Sequence, residues 1–327
     1  MRFVTIGTSS ITDKFIAGAS YDPAFELYGV YSRSADRASA LARRHGARMI
    51  FTALDDVASD PRVDAVYIAS PNSLHAHQSS LMLTAKKAVL CEKPAASNRA
   101  ELEQVVSLSR SLGVLYMEAY MPMFMPNYTV FKQAVRRLGR IEGAEFSFCR
   151  YSSRYDAYKR GEQVNTFKRE FSNGAVMDMG PYCVYPAVDL FGLPRRVSAR
   201  GRLMDTGVDA ECRAVLEYDG FDVYLHCAKT FTSPQYMSVH GSDGYVLADN
   251  PNIPSDIRLG LSGDETDISA PQLSDCMYYE AREFIRLFNL GRIESDANTH
   301  RLSLAVLSVI DEIRRQTGVV FDADTHV

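Results

Sequence analysis

The chain of 327 residues is 46% hydrophobic and 23% charged, a soluble globular composition, and at roughly 150 residues per domain its length predicts two domains. Its 36 Lys and Arg against 40 Asp and Glu leave a net charge of −4, which excludes the basic field that nucleic acid would require. No stretch approaches the roughly 18 consecutive apolar residues of a membrane span, and the first ten residues reach a glycine too early for a secretory apolar region. The sequence therefore reads as a cytoplasmic protein without membrane attachment. Cys91, Cys149, Cys183, Cys212, Cys227 and Cys276 form no C-x-x-C pair and are expected as buried small hydrophobes. His75 and His77, two places apart, point to different sides of a helix, so no structural metal is expected.

In chain order, short apolar runs predict strands over 2–6, 27–32, 48–50, 65–69, 88–91 and 115–118, with helical patterns over 34–45, 73–84 and 98–112 between them. Ser34 is placed to cap the first of these helices and Gly46 to end it, while Ala38, Leu41 and Ala42 form its apolar stripe. Six strands alternating with helices describe a doubly wound parallel sheet that binds nucleotides. After Tyr120 the pattern changes. A helix over 126–138 is followed by alternating runs over 145–151, 196–204, 212–218, 221–228, 235–240 and 257–261, with Asp219-Gly220 and Asp243-Gly244 as hairpin signals. Two amphipathic helices close the chain over 274–290 and 298–317. The fold class expected is α/β: a Rossmann doubly wound parallel sheet over residues 1–119, then an α+β domain over 120–327 with a large, mainly antiparallel sheet.

The first strand runs into Gly7-Thr8-Ser9-Ser10-Ile11-Thr12 and then a helical pattern, the place where a dinucleotide fold puts its pyrophosphate turn. Only one glycine of the usual three remains, and a turn of small residues is the alternative reading. At the end of the second strand, an NAD-preferring fold carries an acid for the ribose hydroxyl. Ser32-Arg33-Ser34 and Arg37 stand there instead. A guanidinium suits both a 2′-phosphate and a ring face, which makes NADP(H) the expected cofactor and NAD(H) the alternative. Two surface arginines at a helix start are the plainer reading.

Tyr67-Ile68-Ala69-Ser70-Pro71-Asn72-Ser73-Leu74-His75, then Cys91-Glu92-Lys93-Pro94, and later Gly174 to Tyr182 with Asp178, Gly180 and Tyr182 in a D-x-G-x-Y pattern, together resemble the Gfo/Idh/MocA family of glucose-fructose oxidoreductase, inositol dehydrogenase and dihydrodiol dehydrogenase. The resemblance runs over nearly the whole chain. It implies a hydride-transferring enzyme with Lys93 beside the substrate carbon, often with a cis peptide before the proline. It also implies nicotinamide-side roles for Ser70, Pro71, Asn72, His75 and Glu92. Asp178 and Tyr182, four apart, meet on one face if the segment is a single helix. Tyr182 with Lys93 is then the proton-transfer pair, because an ammonium favours a phenolate, and Asp178 orients the lysine or a substrate hydroxyl. The bland alternative places Tyr182 in packing. Arg150 to Lys168, with Tyr151, Arg154, Tyr155 and Asn165, is read as substrate wall or sheet packing, and Glu118 and Tyr120 as the far rim of the cofactor site. The partner implied is a small-molecule sugar, polyol or cyclic diol, and a homo-oligomer, dimer or tetramer, is expected by analogy. The competing function is a catalytically silent dinucleotide sensor of the same fold.

Overall fold

Apolar runs in the first part of the chain become strands because their Val, Ile, Leu and Phe side chains are buried on both faces, as a sheet covered by helices on two sides demands. In the computed structural model, which describes residues 1–325, β1 (Arg2–Ile6), β2 (Glu26–Tyr31), β3 (Met49–Phe51), β4 (Ala65–Ile68), β5 (Ala88–Glu92) and β6 (Tyr116–Ala119) alternate with α1 (Ser10–Ala19), α2 (Ala35–His45), α3 (Leu54–Ser59), α4 (His75–Thr84) and α5 (Arg99–Leu112). The strands pair in parallel in the order β3-β2-β1-β4-β5-β6. Helix α2 starts and stops as its sequence dictates: the Arg37 N–H donates to the Ser34 hydroxyl, and Gly46 takes a left-handed φ of 73°. Strand order reverses between β1 and β4, and at the carboxyl ends of such strands open α/β sheets bind ligands.

Beyond β6 come α6 (Pro126–Val135), β7 (Ile141–Cys149), α7 (Tyr155–Lys159), α8 (Ala175–Asp178), α9 (Pro181–Phe191), β8 (Arg196–Leu203), β9 (Asp209–Glu217), β10 (Asp222–Ala228), β11 (Tyr236–Gly241), β12 (Gly244–Ala248), β13 (Ile257–Leu261), β14 (Asp264–Asp267), α10 (Met277–Asn289) and α11 (His300–Thr317). The chain divides into two units, one of Met1–Phe124 with Leu273–Ser303 and the other of Met125–Gln272 with the chain from Leu304 onward. Periodicity marks α10 as core-facing but not which core it serves, because a stripe of Met277, Ala281, Phe284 and Ile285 fits any apolar surface. In the structure that stripe joins the first unit's core, with Phe284 5.8 Å from Phe3 between ring centres. Gly18 lets α1 approach closely, since a Cβ there would stand 2.7 Å from the Tyr278 nitrogen.

The second unit's sheet has the order β14-β13-β12-β11-β7-β10-β9-β8, antiparallel throughout except for the β7–β10 pair. Burial alternates with the strand period of two. Cys212, Ala214 and Leu216 on β9 and Val223, Leu225 and Cys227 on β10 are buried, against α8 and α9. Glu211, Arg213, Tyr224 and His226 take the opposite face, where Glu211 pairs with Arg213 at 2.9 Å and with His226 at 3.0 Å. A groove of about 740 Å³ opens on that polar face.

Of the two hairpin signals, one holds and one shifts by a residue. Gly220 has the positive φ, 85°, that its turn needs. The next hairpin closes at Gly241 opposite Gly244, so Ser242-Asp243 forms its loop, one place before Asp243-Gly244. Strand β14, Asp-Glu-Thr-Asp, carries no apolar alternation and gave no signal. All six cysteines are buried and free, and no helix among the described residues is long and apolar enough to cross a membrane.

Candidate active site

At the end of β1 the single glycine stands where the turn requires one. Gly7 has φ 126°, and a Cβ there would lie 2.4 Å from the Ala69 carbonyl oxygen at the end of β4. Thr8, Ser9, Ser10 and Ile11 make the turn into α1, half-buried to exposed. Ser9 occupies the helix N-cap without a side-chain capping hydrogen bond, so the positive end of α1 is not covered by its own side chain. Thr12, in the third glycine place, is fully buried. At the end of β2 the Ser34 N–H donates to the Ser32 hydroxyl at 3.2 Å. Arg33 and Arg37 are exposed there, and neither guanidinium is paired among the described residues. An uncapped helix start at the sheet's reversal point, beside two unpaired guanidinium groups, fits a phosphorylated dinucleotide.

At the ends of β4 and β5 the residues divide into outward and inward groups. Ser70, Pro71, Asn72 and Lys93 are half-buried. The Ser70 hydroxyl donates to Gln78 Oε1 at 2.7 Å. His75 is only 1% exposed, and its ring nitrogens lie 2.8 Å from the Pro94 carbonyl oxygen and 2.9 Å from that of Ser70. It ties the end of β4 to the segment after β5, and burial holds its imidazole below the ordinary pKa. Lys93-Pro94 is a cis peptide.

Glu92 is buried and accepts the Tyr67 hydroxyl at 2.6 Å. Tyr67 stacks on Phe15 with ring centres 3.7 Å apart. Glu280 from α10 is fully buried, and neither of its carboxyl oxygens has a hydrogen-bond partner. Burial pushes the Glu280 pKa well above the ordinary carboxylate value, with the nearby Glu92 adding to the effect, which favours its neutral form. Glu118 and Tyr120, expected at the rim, are buried as well. The Ala95 N–H donates to Glu118 Oε1 at 3.0 Å.

In the second unit, Asp178 and Tyr182 do not share one helix. Asp178 ends α8 and Tyr182 lies in the first turn of α9, with Met179-Gly180 between them. The break has a local cause. Pro181 has no N–H to continue a helical ladder, and Gly180 packs so closely that a Cβ would stand 2.1 Å from the Val176 carbonyl oxygen. Tyr182 is half-buried, with its ring 4.7 Å from that of Phe148. Asp178 Oδ2 is 2.8 Å from the Lys229 ammonium, and the Asp178 side chain is 36% exposed against 1% for Lys229.

Lys229 and Asp209 are the residues that sequence reasoning passed over. Lys229 also donates to the Thr166 hydroxyl and, at 3.3 Å, to its carbonyl oxygen. Asp209 is fully buried, and its Oδ2 accepts the Val176 N–H at 2.8 Å. Burial raises its pKa to about 6. A signal for Lys229 was present, since it occupies the next inward place after Val223, Leu225 and Cys227, where an apolar residue is expected. The 150–168 stretch forms an aromatic cluster, with Tyr155 stacked on Tyr158 at 5.9 Å and both rings against Phe167. The polar-face groove contains neither Asp178 nor Tyr182.

Comparison with known proteins bears on the family of the whole chain. The oxidoreductase family with an NAD-binding Rossmann fold matches residues 1–120, and the GFO/IDH/MocA C-terminal domain matches residues 131–247. The chain is 42% identical, over 99% of both chains, to scyllo-inositol 2-dehydrogenase (NADP(+)) IolU of Bacillus subtilis. It is 28% identical, again over 99% of both, to trans-1,2-dihydrobenzene-1,2-diol dehydrogenase of Mus musculus. Among solved structures, KijD10, a 3-ketoreductase from Actinomadura kijaniata in complex with NADP and TDP-benzene, shares the fold. Its TM-score is 0.87 at 22% identity, over 98% of this chain and 99% of that one. The chain belongs to the GFO/IDH/MocA family of oxidoreductases, the family its own motifs resemble.

Proposed function

We propose that the protein is a cytoplasmic oxidoreductase that interconverts an alcohol and a carbonyl on a cyclic polyol or sugar, with NADP(H) as its preferred cofactor and NAD(H) as a weaker one. The observation that carries this reading is the 42% identity over 99% of both chains to an NADP(+)-dependent scyllo-inositol dehydrogenase. Cofactor choice draws further support from Arg33 and Arg37, exposed at the end of β2 with no acid in the ribose position. When bound, the nicotinamide takes or gives the hydride at the carbinol carbon.

The chain's own residues must then move the hydroxyl proton. In this reading the Tyr182 phenol exchanges it, and the Lys93 ammonium favours the phenolate and so brings its pKa toward neutrality. Asp178 orients a substrate hydroxyl or the lysine. Gly7 to Ile11 cradle the pyrophosphate on the start of α1. Ser70, Pro71 and Asn72 flank the nicotinamide side, and His75 and Glu92 act from beneath through the backbone they brace.

The loss of two glycines from the phosphate turn favours a second reading, a silent dinucleotide sensor. A sensor, however, has no use for Lys93, Asp178 and Tyr182 together. Assay with scyllo-inositol and related polyols separates the two: NADP⁺-dependent turnover supports the enzyme, and tight NADPH binding without turnover on a broad alcohol and carbonyl panel supports the sensor. Self-association into a dimer or tetramer is read from light scattering.

A further inference from the structure

We propose that Lys229, which lies outside every motif of the chain, is a positioning residue for the reaction: its buried ammonium fixes the Asp178 carboxylate and balances its charge. The proposal rests on the reading above, in which Asp178 meets the substrate. Burying an ammonium costs several kcal/mol unless it is paired and hydrogen-bonded. Lys229 is only 1% exposed, one residue past the end of β10, in alternation with the inward Val223, Leu225 and Cys227. An apolar side chain there would serve packing at least as well, because replacing a buried ion pair with well-packed hydrophobic residues is often neutral or stabilising. Stability alone therefore does not explain a lysine.

The surroundings show what the ammonium is committed to. It pairs with Asp178 Oδ2 at 2.8 Å, donates to both oxygens of Thr166, and lies 5.3 Å from the centre of the Phe167 ring. The acids that face it are Asp178 from α8 and Asp209 from β9. A four-residue helix cannot hold itself in water, and α8 is fastened at both ends. At its start, Asp209 accepts the Val176 N–H and packs on Gly174, whose φ is 131° and where a Cβ would stand 2.1 Å from Asp209 Oδ1. At its end, Lys229 grips Asp178. Of the three charged side chains Asp178, Asp209 and Lys229, Asp178 alone is partly exposed, so the buried charge acts outward through it.

The test compares wild type, Asp178→Asn, Lys229→Met and the double variant, using scyllo-inositol and NADP⁺ as probes, with NADPH affinity read from nicotinamide fluorescence and folding from thermal midpoints. Lys229→Met is expected to lower kcat about 10- to 100-fold, the scale on which supporting residues act, with KM and NADPH affinity changed less than about threefold. In the Asp178→Asn background the same substitution is expected to change kcat by less than about threefold, because coupled residues are not additive. Carboxyl NMR gives a readout without turnover: loss of the cation is expected to raise the Asp178 titration midpoint.

Should Lys229→Met fail to fold, a folded double variant matching Asp178→Asn upholds the proposal, since the unpaired Asp178 charge is then the cause. Wild-type kcat in Lys229→Met beside an impaired Asp178→Asn overturns the proposal alone, as does an undiminished effect of Lys229→Met on top of Asp178→Asn or an unmoved Asp178 titration. Wild-type turnover in Asp178→Asn overturns the reading on which the proposal stands.

Discussion

Lys93 after β5 and Asp178 at the end of α8 are both half-buried and oppositely charged, and the interior behind each is built in the opposite way. Next to Lys93 is Glu92, which takes the Tyr67 hydroxyl, and near Glu92 is Glu280, whose carboxyl oxygens have no hydrogen-bond partner among the described residues and whose pKa burial raises. Against Asp178 lies the buried Lys229, 2.8 Å away, with Asp209 at the far end of the same short helix. Beside the half-buried Lys93 burial pushes carboxyl groups up in pKa, whereas the half-buried Asp178 is held in a short ion pair.

The largest expected effect falls on Lys93. Lys93→Ala is expected to lower kcat by about 10²- to 10⁴-fold, the range for loss of a group in general acid–base catalysis, checked by steady-state rates at saturating cofactor. Next comes the acid behind Asp178. Asp209 has a folded pKa of about 6 against an ordinary 3.8, so the folded state holds its proton longer than the unfolded chain does. Its favourable contribution is complete below about pH 3.8 and is lost as the pH rises through about 6.

Asp209→Asn keeps an oxygen for the Val176 N–H without that loss. Between pH 3.5 and pH 8 it should gain stability relative to wild type by roughly 3 kcal/mol, from a window about two pH units wide at about 1.4 kcal/mol each. Parallel denaturation curves at the two pH values would contradict it. Arg33→Ala is a smaller change: about a tenfold loss of NADPH affinity at low salt, less at high salt, with NADH affinity unmoved, as expected for an exposed guanidinium facing a phosphate. Equal losses for both cofactors would remove the 2′-phosphate assignment. The smallest effect belongs to the buried Glu280. Glu280→Gln should leave stability at pH 7 within about 1 kcal/mol, because one uncharged group replaces another without losing a hydrogen bond, and a loss of several kcal/mol would show that the carboxylate is charged.

Much of the fold was legible because period-2 and period-3.6 patterns are local properties. The six parallel strands and their order of appearance follow from such runs, as does the cap-to-cap extent of α2. The return of α10 to the first unit was not legible, because an apolar stripe records that a face is buried and not what buries it. Site residues divide along the same line. Lys93, Asp178 and Tyr182 sit in short motifs that can be read, and Pro181 signals the helix break between the last two, whereas the close packing of Gly180 on the Val176 carbonyl is visible only in three dimensions. Lys229 was readable in principle, as a cation that continues the inward alternation just past β10, but its partner Asp178 is far away in sequence. Motif membership does not tell exposure either: Glu92 and His75 sit in motifs beside Lys93 and Asn72, and both are buried, Glu92 against the Tyr67 hydroxyl and His75 against the Pro94 and Ser70 carbonyl oxygens.

The most direct measurement is the initial rate of NADPH formation from scyllo-inositol and NADP⁺ by wild type and by Tyr182→Phe, each at saturating cofactor. Wild type should turn over, and the variant, which keeps the ring against Phe148 and loses only the hydroxyl, should fall by about 10²-fold or more with NADPH affinity unchanged. Turnover in Tyr182→Phe within twofold of wild type would contradict the proton-transfer role, and NADPH binding without turnover by wild type on this and related polyols would contradict the enzyme itself.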